Sequence, residues 1–243
     1  MARRFLFRTD RAAPLPAPAG AVSRVLTAAD GVPVHALELA GPPGAPVVVH
    51  FHDNSETAAH PVWIGRALRE RGLGVLLVEY RGYGVSRGPS PTEAGLYLDA
   101  EAALGWLADH GVPASRVVLW GSSLGTGVAA EMARRGHGGA LALVSPYTSI
   151  PGLVSDVVPV LPARLLVDDR FDTLAKAPLL RVPTLVIHGD ADDVVPFWMG
   201  ARLAETIPGA RLVLVRGGRH GDLFAREAEG LVAEIAGLAS ALR

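Results

Sequence analysis

Apolar residues in this chain fall into short continuous runs rather than alternating with polar ones. The runs cover residues 47–49, 75–78, 117–120, 141–144, 184–187 and 212–215. Runs of that length without alternation predict strands buried on both faces, as in a parallel sheet. Helix-length segments separate them, at 57–71, 94–109, 123–135, 197–206 and 222–241. In the second of these, Leu96, Ala100, Ala103, Leu104 and Leu107 recur at helical spacing on one face. Upstream, 22–27 and 34–39 flank Asp30-Gly31, a hairpin signal.

The pattern therefore predicts an α/β fold. An antiparallel pair opens a doubly wound, mostly parallel eight-stranded sheet flanked by helices, with right-handed crossovers. Residues 1–21 read as an extended lead-in, rich in Pro and Ala over 9–21. Residues 22–243 read as a single domain without repeat or linker. The least regular stretch, 147–181, is the candidate for a small lid.

Composition narrows the function classes. Of the 243 residues, 49% are hydrophobic, enough for a substantial core. The formal net charge is −1, which carries no electrostatic footprint for nucleic acid. No cysteine is present, so disulfides, thiolate metal sites and a cysteine nucleophile are excluded. Nothing in the motifs calls for a cofactor or a metal ion. Two arginines precede only a three-residue apolar stretch, 5–7, too short for a secretion signal or a membrane span. A soluble, cytoplasmic protein is the expectation.

Gly121-Ser122-Ser123-Leu124-Gly125 fits the Gly-x-Ser-x-Gly nucleophile elbow. In that turn a serine is lifted above a sheet between a strand and a helix. The glycines let strand and helix approach, and the helix N-terminus faces a developing oxyanion. With 28 glycines a chance match is easy, so the context decides. An apolar run precedes this match and a helical segment follows. Ser122 is out of register, because Trp120 stands where a glycine is needed.

A serine hydroxyl needs a base. Among eight histidines, His220 sits in Gly217-Gly218-Arg219-His220-Gly221, between the last strand and the last helix. In a doubly wound sheet that loop lies at the carboxyl edge, beside the elbow. A third group must orient the imidazole. Asp190, Asp192 and Asp193 all follow the 184–187 run at that same edge. An acidic turn or a calcium loop is the competing reading, but the EF-hand glycine and glutamate are missing. The order Ser, Asp, His along the chain is that of the α/β-hydrolases.

From about residue 30 onward the sequence resembles the α/β-hydrolase superfamily. Tyr80-Arg81-Gly82-Tyr83-Gly84-Val85-Ser86, the 95–100 segment and Ser145-Pro146-Tyr147-Thr148-Ser149 resemble its Bem46-like and ABHD12/13/17-like branch. The resemblance implies little or no cap and a small-molecule substrate, an acyl ester or thioester. Its His-Gly-x-x-Asp-x-x-Val-Pro pattern implies Asp192 as the acid, with His220 as base and Ser123 as nucleophile. It also implies an oxyanion hole from the backbone N–H groups of Leu124 and Asn54. One departure stands out: where the family has His-Gly-Asn, this chain has His52-Asp53-Asn54. A carboxylate that faces the hole opposes the charge that develops there. An amide or peptide hydrolase on the same three residues, and a non-catalytic binding protein on this fold, are the alternatives.

Overall fold

The computed structural model describes residues 3, 6–10, 12–86, 88–158 and 163–242, without the side chain of Arg164. Its frame is one eight-stranded sheet. The strands are β1 (Val22–Thr27), β2 (Pro33–Leu39), β3 (Val47–Phe51), β4 (Gly74–Glu79), β5 (Val117–Ser122), β6 (Ala140–Val144), β7 (Thr184–Gly189) and β8 (Arg211–Val215). They lie in the order β1-β2-β4-β3-β5-β6-β7-β8. β1 and β2, and β2 and β4, pair antiparallel, and every later pair is parallel.

The helices are α1 (Val62–Glu70), α2 (Glu93–Asp109), α3 (Leu124–Arg134), α4 (Ile150–Val157), α5 (Ala163–Leu166), α6 (Thr173–Lys176), α7 (Phe197–Thr206) and α8 (Leu223–Ser240). Side chains of successive strand residues point to opposite faces. In β5, Val117 and Leu119 enter the core beneath α2, α3 and α7, whereas Val118 and Trp120 enter the core beneath α1 and α8. Both faces are thereby covered, which explains the continuous apolar runs in β3 to β7.

Two expectations need correction. β8 is the outermost strand, and Leu212 and Leu214 are more than a third exposed, so this run is buried on one face only. The helix expected from residue 57 begins at Val62. Residues 57–61 form a turn instead, in which His60 Nδ1 accepts from the Thr57 N–H at 3.0 Å.

Residues 147–181 hold α4, α5, α6 and a 3-10 turn, and 159–162 lie outside the described residues. The segment is tied to α2: the Glu93 carboxylate accepts from the N–H groups of Arg170 at 2.7 Å and Phe171 at 3.0 Å. No helix among the described residues is long and apolar enough to cross a membrane.

Candidate active site

The candidate site lies at the carboxyl edge of β5. Ser123 follows that strand directly, with φ 48° and ψ −114°. Positive φ is unfavourable for a residue with a side chain, and such strain collects at functional positions. The flanking glycines make the turn possible. A Cβ on Gly121 meets the carbonyl of Gly125, and a Cβ on Gly125 meets the carbonyl of Phe51. The turn is thus clamped between its own helix and β3, and no larger residue fits at either position.

Two loops bring the partners. His220 arrives on the connection from β8 to α8, and its Nε2 stands 2.8 Å from Ser123 Oγ. Its Nδ1 stands 2.9 Å from Asp192 Oδ2 and 3.1 Å from Oδ1. The Asp192 side chain is fully buried, and its Oδ1 accepts from the N–H groups of Val194 at 2.9 Å and Val195 at 2.8 Å. Burial alone raises a carboxyl pKa. Hydrogen bonds from His188, His220 and the Val194 backbone outweigh it and hold Asp192 well below its ordinary value.

Of the three acidic candidates, Asp192 reaches His220. Asp190 has a different task, for its carboxylate takes the N–H of Gly217 at 2.6 Å and ties the β7 loop to the loop that carries His220. Asp193 is exposed.

His188 opens the His-Gly-x-x-Asp pattern, but the sequence assigns it no role. It is fully buried at the end of β7, with Nε2 3.3 Å from Asp192 Oδ2 and 3.0 Å from the Val195 carbonyl. Both neighbours are acceptors, so Nε2 carries a proton. The opposite nitrogen packs against Gly200, where a Cβ clashes with it.

The loop after β3 faces the elbow. His52 Nδ1 donates to the Asp53 carbonyl at 2.6 Å while its Nε2 faces the Tyr80 N–H at 3.5 Å. That pins the carbonyl of the Asp53–Asn54 peptide, and a trans peptide turns the Asn54 N–H the opposite way. Neither the Asn54 nor the Leu124 N–H has an acceptor among the described residues. Asp53 is absent from the positive-φ residues, so its side chain costs no backbone strain. Its Oδ1 takes the N–H groups of Ser55 at 2.6 Å and Glu56 at 2.9 Å. The carboxylate closes a turn that a glycine leaves to the backbone.

Between this loop, α1, the sheet and the start of α8 lies a cleft of about 270 Å³, lined by Ser122, Ser123 and His220 among others. No described residue of 147–181 lines it. A second hollow of about 250 Å³, near Trp106 and Arg116, lies at the amino edge of the sheet, and no serine, threonine or cysteine lines it among the described residues.

No known family profile matches the chain. Individual proteins do. An uncharacterized protein of Mycobacterium tuberculosis is 37% identical over 179 residues, 73% of this chain and 63% of that protein. Protein bem46 of Schizosaccharomyces pombe is 30% identical over 66% of this chain and 56% of its own length. The lysophosphatidylserine lipase ABHD12 of Danio rerio is 34% identical over 66% and 47%. The chain belongs to the α/β-hydrolase superfamily, in its Bem46-like branch.

This α/β-hydrolase spans about half to two thirds of the length of those relatives. Solved structures with the same fold include an esterase of Pyrococcus furiosus, with TM-score 0.76, 19% identity, and 91% and 92% of the two chains covered. An Exiguobacterium antarcticum esterase aligns with TM-score 0.70 at 21% identity, over 90% of this α/β-hydrolase and 100% of that chain.

Proposed function

We propose that this α/β-hydrolase cleaves carboxylic esters or thioesters through an acyl-enzyme on Ser123. One observation carries the reading: a single imidazole, His220, bridges the Ser123 hydroxyl at 2.8 Å and the buried Asp192 carboxylate at 2.9 Å. The ionised Asp192 holds the proton of His220 on Nδ1, which leaves Nε2 free to accept.

Ser123 Oγ attacks the acyl carbon and its proton passes to His220 Nε2. The carbonyl electrons move onto oxygen, and the N–H groups of Leu124 and Asn54 take up that charge. As the tetrahedral adduct collapses, the bond to the leaving oxygen or sulfur breaks and His220 returns the proton to it. Water then attacks the acyl carbon and gives a proton to His220; the second adduct collapses, the bond to Ser123 Oγ breaks, the acid leaves, and His220 returns the proton to Oγ. Asp192 stays ionised throughout and stabilises the imidazolium.

The 147–181 segment is proposed as no more than a small lid, since none of its described residues lines the cleft. The test is turnover of p-nitrophenyl acetate and labelling by a fluorophosphonate. Both are expected in the wild type and absent in Ser123→Ala. Labelling that persists in Ser123→Ala overturns the assignment.

A further inference from the structure

The part of the cleft between β3 and α1 is acidic. Asp53 and Glu56 line it, and no Arg or Lys lines the cleft among the described residues. Burial and the neighbouring Asp53 carboxylate push Glu56 up to about 8. Two adjacent carboxylates without a counter-charge are costly, so Glu56 holds its proton at neutral pH.

The same corner has a continuous aromatic wall. Trp63 meets Phe224 edge-on at 6.4 Å, Phe224 meets Trp120 at 5.6 Å, and Trp120 meets the His50 ring at 4.0 Å. Trp63 is 48% exposed, although it borders a cleft that Phe224 also lines. The face of an aromatic ring attracts cations and repels anions through its quadrupole. Two residues that line the cleft also carry unspent hydrogen-bonding capacity. His50 Nδ1 and Ser145 Oγ, on residues 1% and 2% exposed, have no partner among the described residues.

We propose that this cleft selects ester substrates bearing an ammonium group, held by Asp53 and Glu56 beside Trp63 and Phe224, and rejects those bearing phosphate or carboxylate. The proposal rests on the ester-hydrolase reading above. It also explains the residue that departs from the family pattern. A carboxylate beside the oxyanion hole opposes catalysis of a neutral ester. A substrate that brings its own cation offsets that carboxylate and lessens its opposition at the oxyanion. The selection therefore acts on kcat as well as on KM. An anionic phospholipid headgroup, as the name of the zebrafish relative implies for that protein, meets repulsion here.

The test compares esters of one shape and different charge. Choline acetate is set against its uncharged isostere, 3,3-dimethylbutyl acetate, and against anionic 3-sulfopropyl acetate. For a cation on the acyl side, p-nitrophenyl 4-(trimethylammonio)butanoate is set against p-nitrophenyl 5,5-dimethylhexanoate. In at least one pair kcat/KM is expected to favour the cationic ester about tenfold, with the sulfonate below both acetates. Glu56→Gln combined with Asp53→Asn is expected to bring that ratio close to one. Equal kcat/KM in both pairs, or a preference that survives the double substitution, overturns the proposal.

If the wild type turns over no ester at all, the ester-hydrolase reading has failed on its own. The cation site is then read by tryptophan fluorescence during titration with choline and with 3,3-dimethylbutan-1-ol. A response to choline alone, lost in the double variant, upholds the site, and equal responses overturn it.

Discussion

His188 Nε2 lies 3.3 Å from the same Asp192 oxygen, Oδ2, that His220 Nδ1 approaches at 2.9 Å. Two imidazoles thus share one buried carboxylate. The proton that His188 donates draws charge away from His220. Without it, Asp192 loses one of the hydrogen bonds that hold it ionised and in place. His188→Leu is expected to lower kcat on p-nitrophenyl acetate by about tenfold with KM little changed. His188→Gln, which keeps a donor, is expected to restore most of that loss. Steady-state kinetics read both, and a loss of folded protein alone lowers the active fraction equally in the two variants.

Asp192→Asn keeps the shape of the acid and removes its charge. The amide can offer an N–H where His220 Nδ1 needs an acceptor, which favours the wrong tautomer. kcat is expected to fall by about 10³–10⁴ with KM little changed. Steady-state kinetics on p-nitrophenyl acetate read both.

Asp53→Asn separates turn from charge. Asn retains an oxygen for the N–H groups of Ser55 and Glu56, which Asp53 Oδ1 serves at 2.6 and 2.9 Å. The loop is expected to keep its shape, and kcat for a neutral ester to rise severalfold as the opposing charge disappears. A fall in kcat shows instead that the carboxylate assists the reaction.

The sequence pattern made β3 to β7 legible because both of their faces are covered, which erases alternation. β8 has a similar composition yet lies at the edge, and composition does not report a strand's neighbours. Ser123 and His220 were readable because elbow and loop positions follow from strand order. The choice of Asp192 among three acids came from the family pattern. The link from His188 to Asp192 depends on how the chain curls after β7, and Asp53's turn depends on side-chain rotation. The first is marked only by the spacing of His188 and Asp192 in the family pattern, and the second leaves no mark in the order of residues.

Glu56 gives stability a pH dependence. Its folded pKa, about 8, stands above the ordinary 4.5, so between those values the native state binds more protons than the unfolded one. Stability contributed by this group therefore falls as pH rises through that window. Asp53, His50, His60 and His220 line the same cleft, so the comparison is with Glu56→Gln, which keeps them all. The wild type is expected to lose Tm relative to Glu56→Gln from pH 5 to pH 8, and parallel Tm profiles contradict this.

Two glycines separate packing from propensity. A Cβ at Gly125 runs into the Phe51 carbonyl, whereas one at Gly105, within α2, meets nothing within 4 Å. Gly125→Ala is expected to lower Tm and abolish labelling of Ser123. Gly105→Ala is expected to stabilise by about 0.5–1 kcal/mol, the ordinary helix preference, which thermal unfolding reads.

The most direct measurement is the site of covalent modification. After reaction with a fluorophosphonate, trypsin releases residues 117–134, which contain both Ser122 and Ser123. Fragment masses are expected to put one phosphonyl group on Ser123, with the rate of labelling reduced by at least about a hundredfold in His220→Ala. Modification at Ser122, or equal labelling without His220, contradicts the assignment of Ser123 as nucleophile and His220 as its base.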